Sequence, residues 1–424
     1  MSPKARQEAE AFGRSPNLFK RILEDYEQCG LMGEKANKLL YYLAAVSRKT
    51  DQPLSVLILS SSGAGKSALQ EGVLRFCPPE EVVKVTMLSS KALFYREAGS
   101  LKHKVLALEE GEGMVEASYA IRNLVSAGSL VIESTRRDMG NGKMVAKENR
   151  VEGPTAVFLT TTNPDTDPET KSRFFVTSVD EGPHQTQAIL ASQRRQQTLA
   201  GLGSEAKRKA VLDRHHNFQR LLKPLAVINP YADQLSYGDD RLQSRRDQPR
   251  YLNLIRAVAF LRQMKKEVKT LSGSEAMPYI EVDLDDLRLA NDLAAQIMAH
   301  SLDELSRLAH DLLLQLEAMT SEAARENGQQ DFFTRRQIRE YSGWNHSRVH
   351  RYLKELVTPE YVLVSSARGA FRQTYRLCYN GQAGTTLSAR SSSGGGTQGA
   401  GTRFNRFTLI SLLRIAPSFY GLQS

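Results

Sequence analysis

The sequence predicts an α/β fold in which a parallel sheet is flanked by helices, and three stretches carry this prediction. Val56–Ser60 is an apolar run of strand length that leads through small residues into a helical pattern. Lys104–Glu110 and Thr155–Thr162 are further strand-like runs, and each ends in polar side chains. Buried parallel strands are nearly continuous apolar runs, and their carboxyl ends lie at one edge of the sheet. We therefore expect the polar residues that follow these strands to lie together.

The composition is that of a globular protein with room for two or three domains. Of the 424 residues, 41% are hydrophobic and 25% are charged, and the formal net charge of +10 favours a polyanionic partner. No apolar run reaches the roughly 20 residues of a membrane-spanning helix. Three widely spaced cysteines suggest neither a disulfide framework nor a zinc site. We expect a protein of the reducing cytoplasm that does not enter a membrane.

Residues 60–67, Ser-Ser-Ser-Gly-Ala-Gly-Lys-Ser, have the composition of a phosphate-binding loop between a strand and a helix. Small residues let backbone N–H groups point at an anion, Lys66 can reach the β and γ phosphates, and the Ser67 hydroxyl can ligate Mg²⁺. Ser60 stands where such a loop usually has glycine. The alternative is a Gly/Ser-rich turn without a ligand. The residues predicted to bind nucleotide are Ser62, Gly63, Ala64, Gly65, Lys66, Ser67 and Glu109.

Polar side chains at the ends of the other two strands complete a predicted hydrolytic site. Glu109 would hold Mg²⁺ directly or through water, and Glu110 would orient or deprotonate the attacking water. Asn163 follows the strand Thr155–Thr162 and can position that water beside the γ-phosphate. The alternative for Glu109 and Glu110 is a pair of surface glutamates without a catalytic role.

Two arginines are further candidates for catalysis. Arg173 precedes two phenylalanines and is suited to reaching the γ-phosphate of a neighbouring subunit, although a local ion pair is the alternative. Arg250 begins an apolar helix and could swing onto the nucleotide phosphates. With Glu110 and Asn163, these arginines form the predicted catalytic set.

A basic hairpin is predicted between residues 129 and 151, with Asn141-Gly142 as its turn. Its charges suit a phosphate backbone, although a solvated loop is the alternative. The basic residues around its tip are Arg136, Arg137, Lys143 and Lys147.

The N-terminal region and the middle of the chain read as helical. Residues 1–16 are polar and are expected to be frayed, whereas Asn17–Cys29 and Glu34–Ser47 have helical spacing of apolar residues. These helices form a predicted packing collar, with adenine contacts near Gly33 as a second possibility. Residues 184–220 are predicted surface helices in which His215 and His216 form a solvated pair rather than a metal site.

A small basic module is predicted over 331–379, where two helices precede a two-stranded wing. It contains nine basic and four acidic residues, a balance of +5. Arg348, Arg351 and Lys354 recur at helical spacing, as on a helix that reads a DNA groove. A protein-docking module is the alternative. The remaining residues, 381–424, are a Gly/Ser-rich tail with an apolar end, either a docking peptide or disordered.

With these residues in hand, the chain resembles the AAA+ ATPases, and more narrowly the helicase modules related to the minichromosome maintenance family that occur in phage and integrative mobile elements. The resemblance covers Gly30–Arg262 and, separately, the basic module at 331–379. It implies a Walker A loop at Ser60–Ser67, a Walker B strand at Leu106–Glu110, sensor 1 at Asn163, an arginine finger at Arg173, sensor 2 at Arg250, and a DNA-contacting hairpin at 130–151.

Besides Ser60, the sequence departs from the pattern of that family in two further respects. Glu109 stands where aspartate is usual in Walker B. The spacing from Asn163 to Arg173 is short, which leaves Arg194 or Arg195 as alternative fingers.

The resemblance implies a P-loop AAA+ core with a helical lid and a C-terminal winged-helix domain. The predicted division is a helical collar at 1–50, the core at 51–223, the lid and connector at 224–330, the winged helix at 331–380 and the tail at 381–424. The implied function is an ATP- and Mg²⁺-dependent helicase, assembled as a hexameric ring on single-stranded or forked DNA and acting with other replication proteins to replicate a mobile element. The alternatives are an AAA+ loader or remodelling ATPase and an ATP-switched DNA-binding regulator.

Overall fold

The computed structural model describes residues 1–86, 88–89, 91–109, 114–137, 144–163, 166–235, 244–271, 277–303, 307–327, 332–357, 361–365 and 373–378. Contacts divide the chain into two compact units. One comprises Met1–Pro230 and Arg246–Ile297, and the other comprises Tyr231–Arg245 and Met298–Ser424. Among the described residues, no helix combines the length and the apolar character needed to cross a membrane.

The chain forms strands that we number in order. They are β1 (Val56–Leu59), β2 (Val82–Val85), β3 (Lys104–Glu109), β4 (Ser129–Arg137), β5 (Met144–Glu152), β6 (Thr155–Thr161), β7 (Phe175–Thr177), β8 (Ala226–Ile228), β9 (Lys269–Leu271), β10 (Met277–Glu281), β11 (Phe333–Thr334), β12 (Val362–Ser365) and β13 (Thr374–Leu377).

The α-helices are numbered in the same way. They are α1 (Pro3–Gly13), α2 (Leu18–Gln28), α3 (Lys35–Ser47), α4 (Lys66–Leu74), α5 (Met114–Ala127), α6 (Pro168–Lys171), α7 (Pro183–Gln196), α8 (Leu199–Gly203), α9 (Glu205–Leu221), α10 (Ser244–Leu261), α11 (Leu284–Asp303), α12 (Arg307–Asn327), α13 (Arg335–Ser342) and α14 (His346–Val357).

A five-stranded parallel sheet organises the first unit, in the order β2, β3, β6, β1, β7. The three stretches from which the fold was predicted are β1, β3 and β6, and they are neighbours in this sheet. Their continuous apolar runs are buried, and part of the core lies between the sheet and α5, where Leu106, Ile121 and Phe174 belong to one cluster. The predicted parallel α/β core is therefore confirmed.

The predicted hairpin is also present, as the antiparallel pair β4 and β5. Leu130 and Val151 lie near its base and are buried in the same cluster as Leu106. The turn with Lys143 lies outside the described residues, and for Arg136, Arg137 and Lys147 the structure describes the backbone. The hairpin is thus fixed at its base, whereas the predicted basic tip stays a prediction.

The expectation that residues 1–16 are frayed is wrong, because Pro3–Gly13 form α1. Ser2 caps this helix, and its Oγ accepts a hydrogen bond from the Ala5 N–H at 3.3 Å. Phe12 is buried, and its ring centroid lies 5.4 Å from that of Phe218 on α9. Ala9 and Phe12 are one helical turn apart, so the polar composition concealed a short apolar stripe.

The expectation of a solvated histidine pair is wrong for His215, which is fully buried, whereas His216 is half-buried. The two ring nitrogens of His215 lie 2.8 Å from the Tyr42 hydroxyl and 2.9 Å from Asp25 Oδ2. His215 lies on the same side of α9 as Val211 and Phe218, which are also buried. Consecutive residues of a helix point in different directions, which separates the two histidines.

The region 224–330 contains a sheet in addition to the predicted helices. Strands β8, β10 and β9 form a three-stranded sheet in that order. Helix α10 begins at Ser244 rather than at Arg250, with Pro249 inside its first turns. The strands β8 and β9 have three residues each, too short for an alternation of apolar and polar residues to be recognised.

The second unit contains the helices α12, α13 and α14 and a three-stranded antiparallel sheet in the order β11, β13, β12. A capping box formed by Thr334 and Gln337 begins α13, and Gly343 ends it with a φ of +68°. Ile338, Leu353 and Tyr375 join these elements in one buried cluster, to which α12 contributes Leu312 and Leu316.

Candidate functional site

The topology of the sheet brings three polar segments to one edge. Strand β6 lies between β1 and β3, with Leu59 beside Thr161 and Glu109 beside Thr160. Because all three strands are parallel, the loop after Leu59, the Glu109 side chain and Asn163 occur at their carboxyl ends. We refer to this side of the sheet as the carboxyl edge.

The loop at residues 60–65 has the backbone conformation of an anion cradle. Gly63 and Gly65 have φ values of +82° and +93°, a region that side-chain-bearing residues rarely adopt. Open space surrounds both glycines, since a Cβ added at either position would meet no atom within 4 Å among the described residues. Helix α4 begins at Lys66, so its first N–H groups and the positive end of its dipole adjoin the loop.

Lys66 is held along this loop. Its side chain is almost entirely buried, and Nζ donates hydrogen bonds to the carbonyl oxygens of Ser60 at 2.9 Å and Ser61 at 2.6 Å. Ser67, the next residue, is exposed at the start of α4. The loop therefore combines a fixed ammonium, the backbone N–H groups at a helix N-terminus and an exposed hydroxyl.

The departure at Ser60 has a structural explanation. Its hydroxyl donates to the Leu59 carbonyl at 2.7 Å and accepts a hydrogen bond from the Val179 N–H, also at 2.7 Å. Val179 follows β7, which pairs with β1. A glycine at this position could not make these two bonds, so the serine fixes the start of the loop to the neighbouring strand.

The acids and the asparagine are partly described. Glu109 is exposed at the end of β3, whereas Glu110 lies outside the described residues. Asn163 is exposed, and its backbone is fixed in a turn. Its N–H donates to Thr161 Oγ1 at 3.0 Å, and its carbonyl accepts from Thr166 Oγ1 at 2.7 Å. The role of each side chain in catalysis stays a prediction.

Arg173 and Arg250 lie at the opposite edge of the sheet from Lys66. Phe175 begins β7, and its N–H donates to the Ser55 carbonyl just before β1. Ser55 and Ser60 are separated by the length of β1, roughly 16 Å for an extended strand. Arg173 precedes β7, and Arg250 donates to the Phe174 carbonyl. We refer to the side of the sheet where the parallel strands begin as the amino edge. The two predicted arginines both lie at this amino edge, away from the phosphate loop of their own chain.

A protein family described as MTBMA_p00010 P-loop domain matches residues 3–220, slightly more than half of the chain. The match contains the loop at 60–67, the whole five-stranded sheet and helices α1–α9 except the last residue of α9. The chain belongs to the MTBMA_p00010 P-loop domain family. None of the curated proteins matches the chain significantly. P-loop domains are typically NTPases, so membership supports binding and hydrolysis of a nucleoside triphosphate, with Mg²⁺ as the usual metal.

The residues of this P-loop domain fit a nucleotide. Lys66 and the N–H groups of the loop and of α4 would hold the phosphates, and Ser67 and Glu109 offer oxygen ligands of the kind that Mg²⁺ prefers. The two glycines with open space around them allow a phosphate to approach the backbone closely.

A loop at residues 30–34 of the P-loop domain is fixed beside α7. The Met32 carbonyl accepts a hydrogen bond from Gln185 Nε2 at 2.9 Å. Glu34 Oε1 accepts one from the Asp180 N–H at 2.6 Å. Leu31 packs against α4, because a Cβ added at Gly72 would lie 2.6 Å from its side chain. Adenine contacts near Gly33 stay a prediction, and the loop lies next to segments that also contact the phosphate loop.

Sequence reasoning missed one acid at the carboxyl edge. Glu181 Oε1 accepts hydrogen bonds from the Ser61 N–H at 3.0 Å and from the Ser61 hydroxyl at 2.6 Å. Glu181 follows β7, which is only three residues long and gave no clear strand signal. Recognition of that strand would have placed the acid at the same edge as Lys66.

Proposed function

We propose that this P-loop protein is an ATP- and Mg²⁺-dependent DNA helicase or translocase that acts as a hexameric ring in the replication of a mobile genetic element. The observation that carries the proposal is the separation of Lys66 from Arg173 and Arg250 on opposite edges of one sheet. Arginines at the amino edge would reach a phosphate only on a neighbouring copy. A ring places the amino edge of one subunit against the carboxyl edge of the next.

The proposed hydrolysis uses residues on three strands. Lys66 and the loop N–H groups bind the β and γ phosphates, and Ser67 and Glu109 hold the metal. Bound Mg²⁺ would neutralise charge that develops on the phosphates. Glu110 accepts the proton of the attacking water, and Asn163 orients that water. Arg173 of the neighbouring subunit stabilises the charge of the transition state, with Arg250 beside it.

The proposed DNA contacts lie on the hairpin and on α14. Arg136, Arg137, Lys143 and Lys147 would contact the backbone of single-stranded or forked DNA. Within residues 331–380 of the second unit, which we interpret as a winged helix, α14 exposes Arg348, Arg351 and Lys354 and buries Val349, Leu353 and Leu356. The Arg348 guanidinium lies over the Trp344 ring, 3.9 Å from its centroid, which orients the charge. Such an exposed basic face supports DNA rather than protein docking.

The decisive experiment is ATP turnover by the wild type and by Glu110→Gln, each with and without single-stranded DNA. We expect turnover that DNA stimulates and that Glu110→Gln abolishes while ATP binding persists, followed by unwinding of a forked duplex. Lys66→Ala is the control that removes binding itself. Turnover without stimulation or unwinding would favour a loader or remodelling ATPase. Binding without turnover in the wild type would favour an ATP-switched regulator.

A further inference from the structure

Residues 178–181, which connect β7 to α7, hold the start of the phosphate loop by two successive contacts. The Val179 N–H donates to Ser60 Oγ at 2.7 Å. The Glu181 carboxylate accepts from both the N–H and the hydroxyl of Ser61, at 3.0 and 2.6 Å. Both serines at the beginning of the loop are therefore tied to this connector.

The connector is itself anchored on its other side. The Asp180 N–H donates to Glu34 Oε1 at 2.6 Å, and Asn37 Nδ2 donates to the Ser178 carbonyl at 2.7 Å. Asn37 is buried near the start of α3. Glu181 is exposed, yet the backbone that carries it is fixed by a buried helix. The Glu181 carboxylate can therefore restrict the movement of Ser61.

Ser61 in turn positions the lysine of the loop. The Ser61 carbonyl accepts the shorter of the two Lys66 Nζ hydrogen bonds, at 2.6 Å, and the Ser60 carbonyl accepts the other at 2.9 Å. A loop of serine, glycine and alanine has little intrinsic rigidity, because glycine and small side chains restrict the backbone weakly. Phosphate binding would have to order such a loop unless another part of the protein already did so.

We propose that Glu181 is a positioning residue for the phosphate loop. Its carboxylate fixes Ser61, and through the Ser61 carbonyl it fixes Lys66, so that the loop holds its phosphate-binding conformation before nucleotide arrives. The proposal rests on nucleotide binding by the P-loop and is independent of DNA, of the ring and of the two arginines.

The test must distinguish the effect of the Glu181 charge on nucleotide binding from the effect of its hydrogen bonds. The bonds from the Ser61 side chain and backbone, with a smaller contribution from the Lys66 charge, hold the pKa of Glu181 below its ordinary value. The carboxylate is therefore ionised at neutral pH and would repel phosphate as well as position the loop. Glutamine keeps both acceptor sites on its amide oxygen without the charge, whereas alanine removes both.

The experiment measures the Kd of MgATP and the backbone hydrogen exchange of residues 60–67 without nucleotide, in wild type, Glu181→Ala and Glu181→Gln. We expect Glu181→Ala to raise the Kd about tenfold, the loss of a charge-assisted pair of hydrogen bonds, and to accelerate exchange in the loop. Glu181→Gln should stay within about twofold of the wild type in Kd. Glu71→Ala, an exposed acid on α4, is the matched control and should change neither quantity.

A double-mutant cycle links the effect to Ser61. Ser61→Ala keeps the N–H donor and should weaken binding less than Glu181→Ala, and the double variant should resemble Glu181→Ala. If Glu181→Ala and Glu181→Gln both tightened ATP binding equally, charge repulsion would dominate and the proposal would be overturned. Additive effects of Glu181→Ala and Ser61→Ala on the Kd would also overturn it. If the wild type binds no ATP, the P-loop function fails, and unchanged exchange in Glu181→Ala would separately reject the positioning role.

Discussion

Arg173 and Glu169 form an ion pair within one chain, with 3.1 Å between Nη2 and Oε1. The Arg173 Nε also donates to Ser126 Oγ at 2.6 Å, and Nη1 donates to the Glu169 carbonyl at 2.6 Å. Both interpretations of Arg173, a local ion pair and a finger for a neighbour, are compatible with this contact. The Arg173 side chain is only 22% exposed, so reaching a phosphate would require it to leave this ion pair and its bonds to Ser126 and the Glu169 carbonyl.

Two inactive variants should restore each other if Arg173 acts on a neighbouring subunit. Lys66→Ala removes the lysine that binds phosphate, and Arg173→Ala removes the arginine that would reach the neighbouring subunit. A mixed ring contains interfaces in which an intact loop faces an intact Arg173, so mixing the variants should recover a substantial fraction of the ATP turnover of the wild type. Steady-state turnover against mixing ratio measures this recovery.

The control for the mixing experiment is an exposed arginine that also pairs with an acid on its own helix. Arg288 is exposed on α11 and pairs with Asp285 at 3.4 Å, and Arg288→Ala should keep full turnover. A mixture of Lys66→Ala and Arg173→Ala as inactive as its components would exclude a finger at Arg173. Arg194 and Arg195 would then be tested in the same way.

The single tryptophan of the chain gives a direct signal for DNA binding by the second unit. Trp344 lies under the Arg348 guanidinium, with 3.9 Å from Cζ to the ring centroid. If Arg348 contacts a phosphate, its departure from the ring should change the tryptophan emission on addition of DNA. Arg348→Ala should also lower the salt dependence of binding by about 0.9 in the logarithmic slope, the value for one phosphate contact on duplex DNA.

The matched control for Arg348 lies on α13. Arg336 is exposed and pairs with Glu340 at 2.7 Å, so Arg336→Ala should leave the salt slope and the emission change intact. Equal losses in the two variants would indicate nonspecific attraction to a basic surface. No emission change with DNA would contradict recognition through α14.

The sequence sufficed for features that depend on neighbours along the chain. Strand β1, the phosphate loop and the start of α4 follow from one apolar run and the small residues after it, and the hairpin follows from Asn141-Gly142. That β1, β3 and β6 are parallel strands of one sheet followed from their shared pattern of apolar runs with polar ends. Local propensity and periodicity carry such information.

Features that join distant residues were not predictable in this way. Asp25 and His215 are 190 residues apart, and Glu181 is 120 residues from Ser61. Arg48 is fully buried and pairs with Glu81 across 33 residues, although its sequence neighbourhood is polar. Burial of a charged group requires a partner that only the fold brings near, so composition alone assigns it to the surface.

The network of Asp25 and His215 should make stability depend on pH in two separate windows. Burial lowers the pKa of His215, so the folded protein keeps it neutral while an unfolded histidine takes up a proton below about pH 6.5. The free energy of unfolding should therefore fall as the pH drops below about 6.5, by up to about 1.4 kcal/mol per pH unit. His215→Gln should lose this dependence, as measured by urea denaturation between pH 7 and 5.

Asp25 accounts for the lower window. Burial opposes its ionisation, but hydrogen bonds from His215 and Arg214 prevail and hold its pKa below the ordinary value. Its contribution to stability is present above about pH 4 and is lost as the pH falls through its folded pKa. His216→Gln is the control for the upper window, because His216 is only half-buried and binds only the Arg75 carbonyl among the contacts described for its ring. Equal pH slopes in the two histidine variants would refute the assignment to His215.

Lys38 should produce a further window of the same sign, at alkaline pH. Its side chain is fully buried on α3, and Nζ donates to the Leu31 carbonyl at 2.5 Å. Burial lowers the pKa of Lys38 to about 8, whereas an unfolded lysine titrates near 10.4. Between these values the unfolded state binds more protons, so the free energy of unfolding contributed by Lys38 should rise with pH, by about 1.4 kcal/mol per unit.

The difference in free energy of unfolding between the wild type and Lys38→Met isolates the contribution of Lys38. It excludes the contributions of buried cysteines and tyrosines, whose raised pKa values make stability fall as the pH rises. We expect that difference to increase from pH 8 to 10 in denaturation experiments. Lys35→Met, on an exposed position of the same helix, should give a flat difference. A flat difference for Lys38→Met as well would mean that the ammonium stays charged above pH 8, held by Glu27 and Glu34, the acids that raise its pKa. The loop at 30–34 would then be fixed by a permanent charge rather than by an amine that titrates.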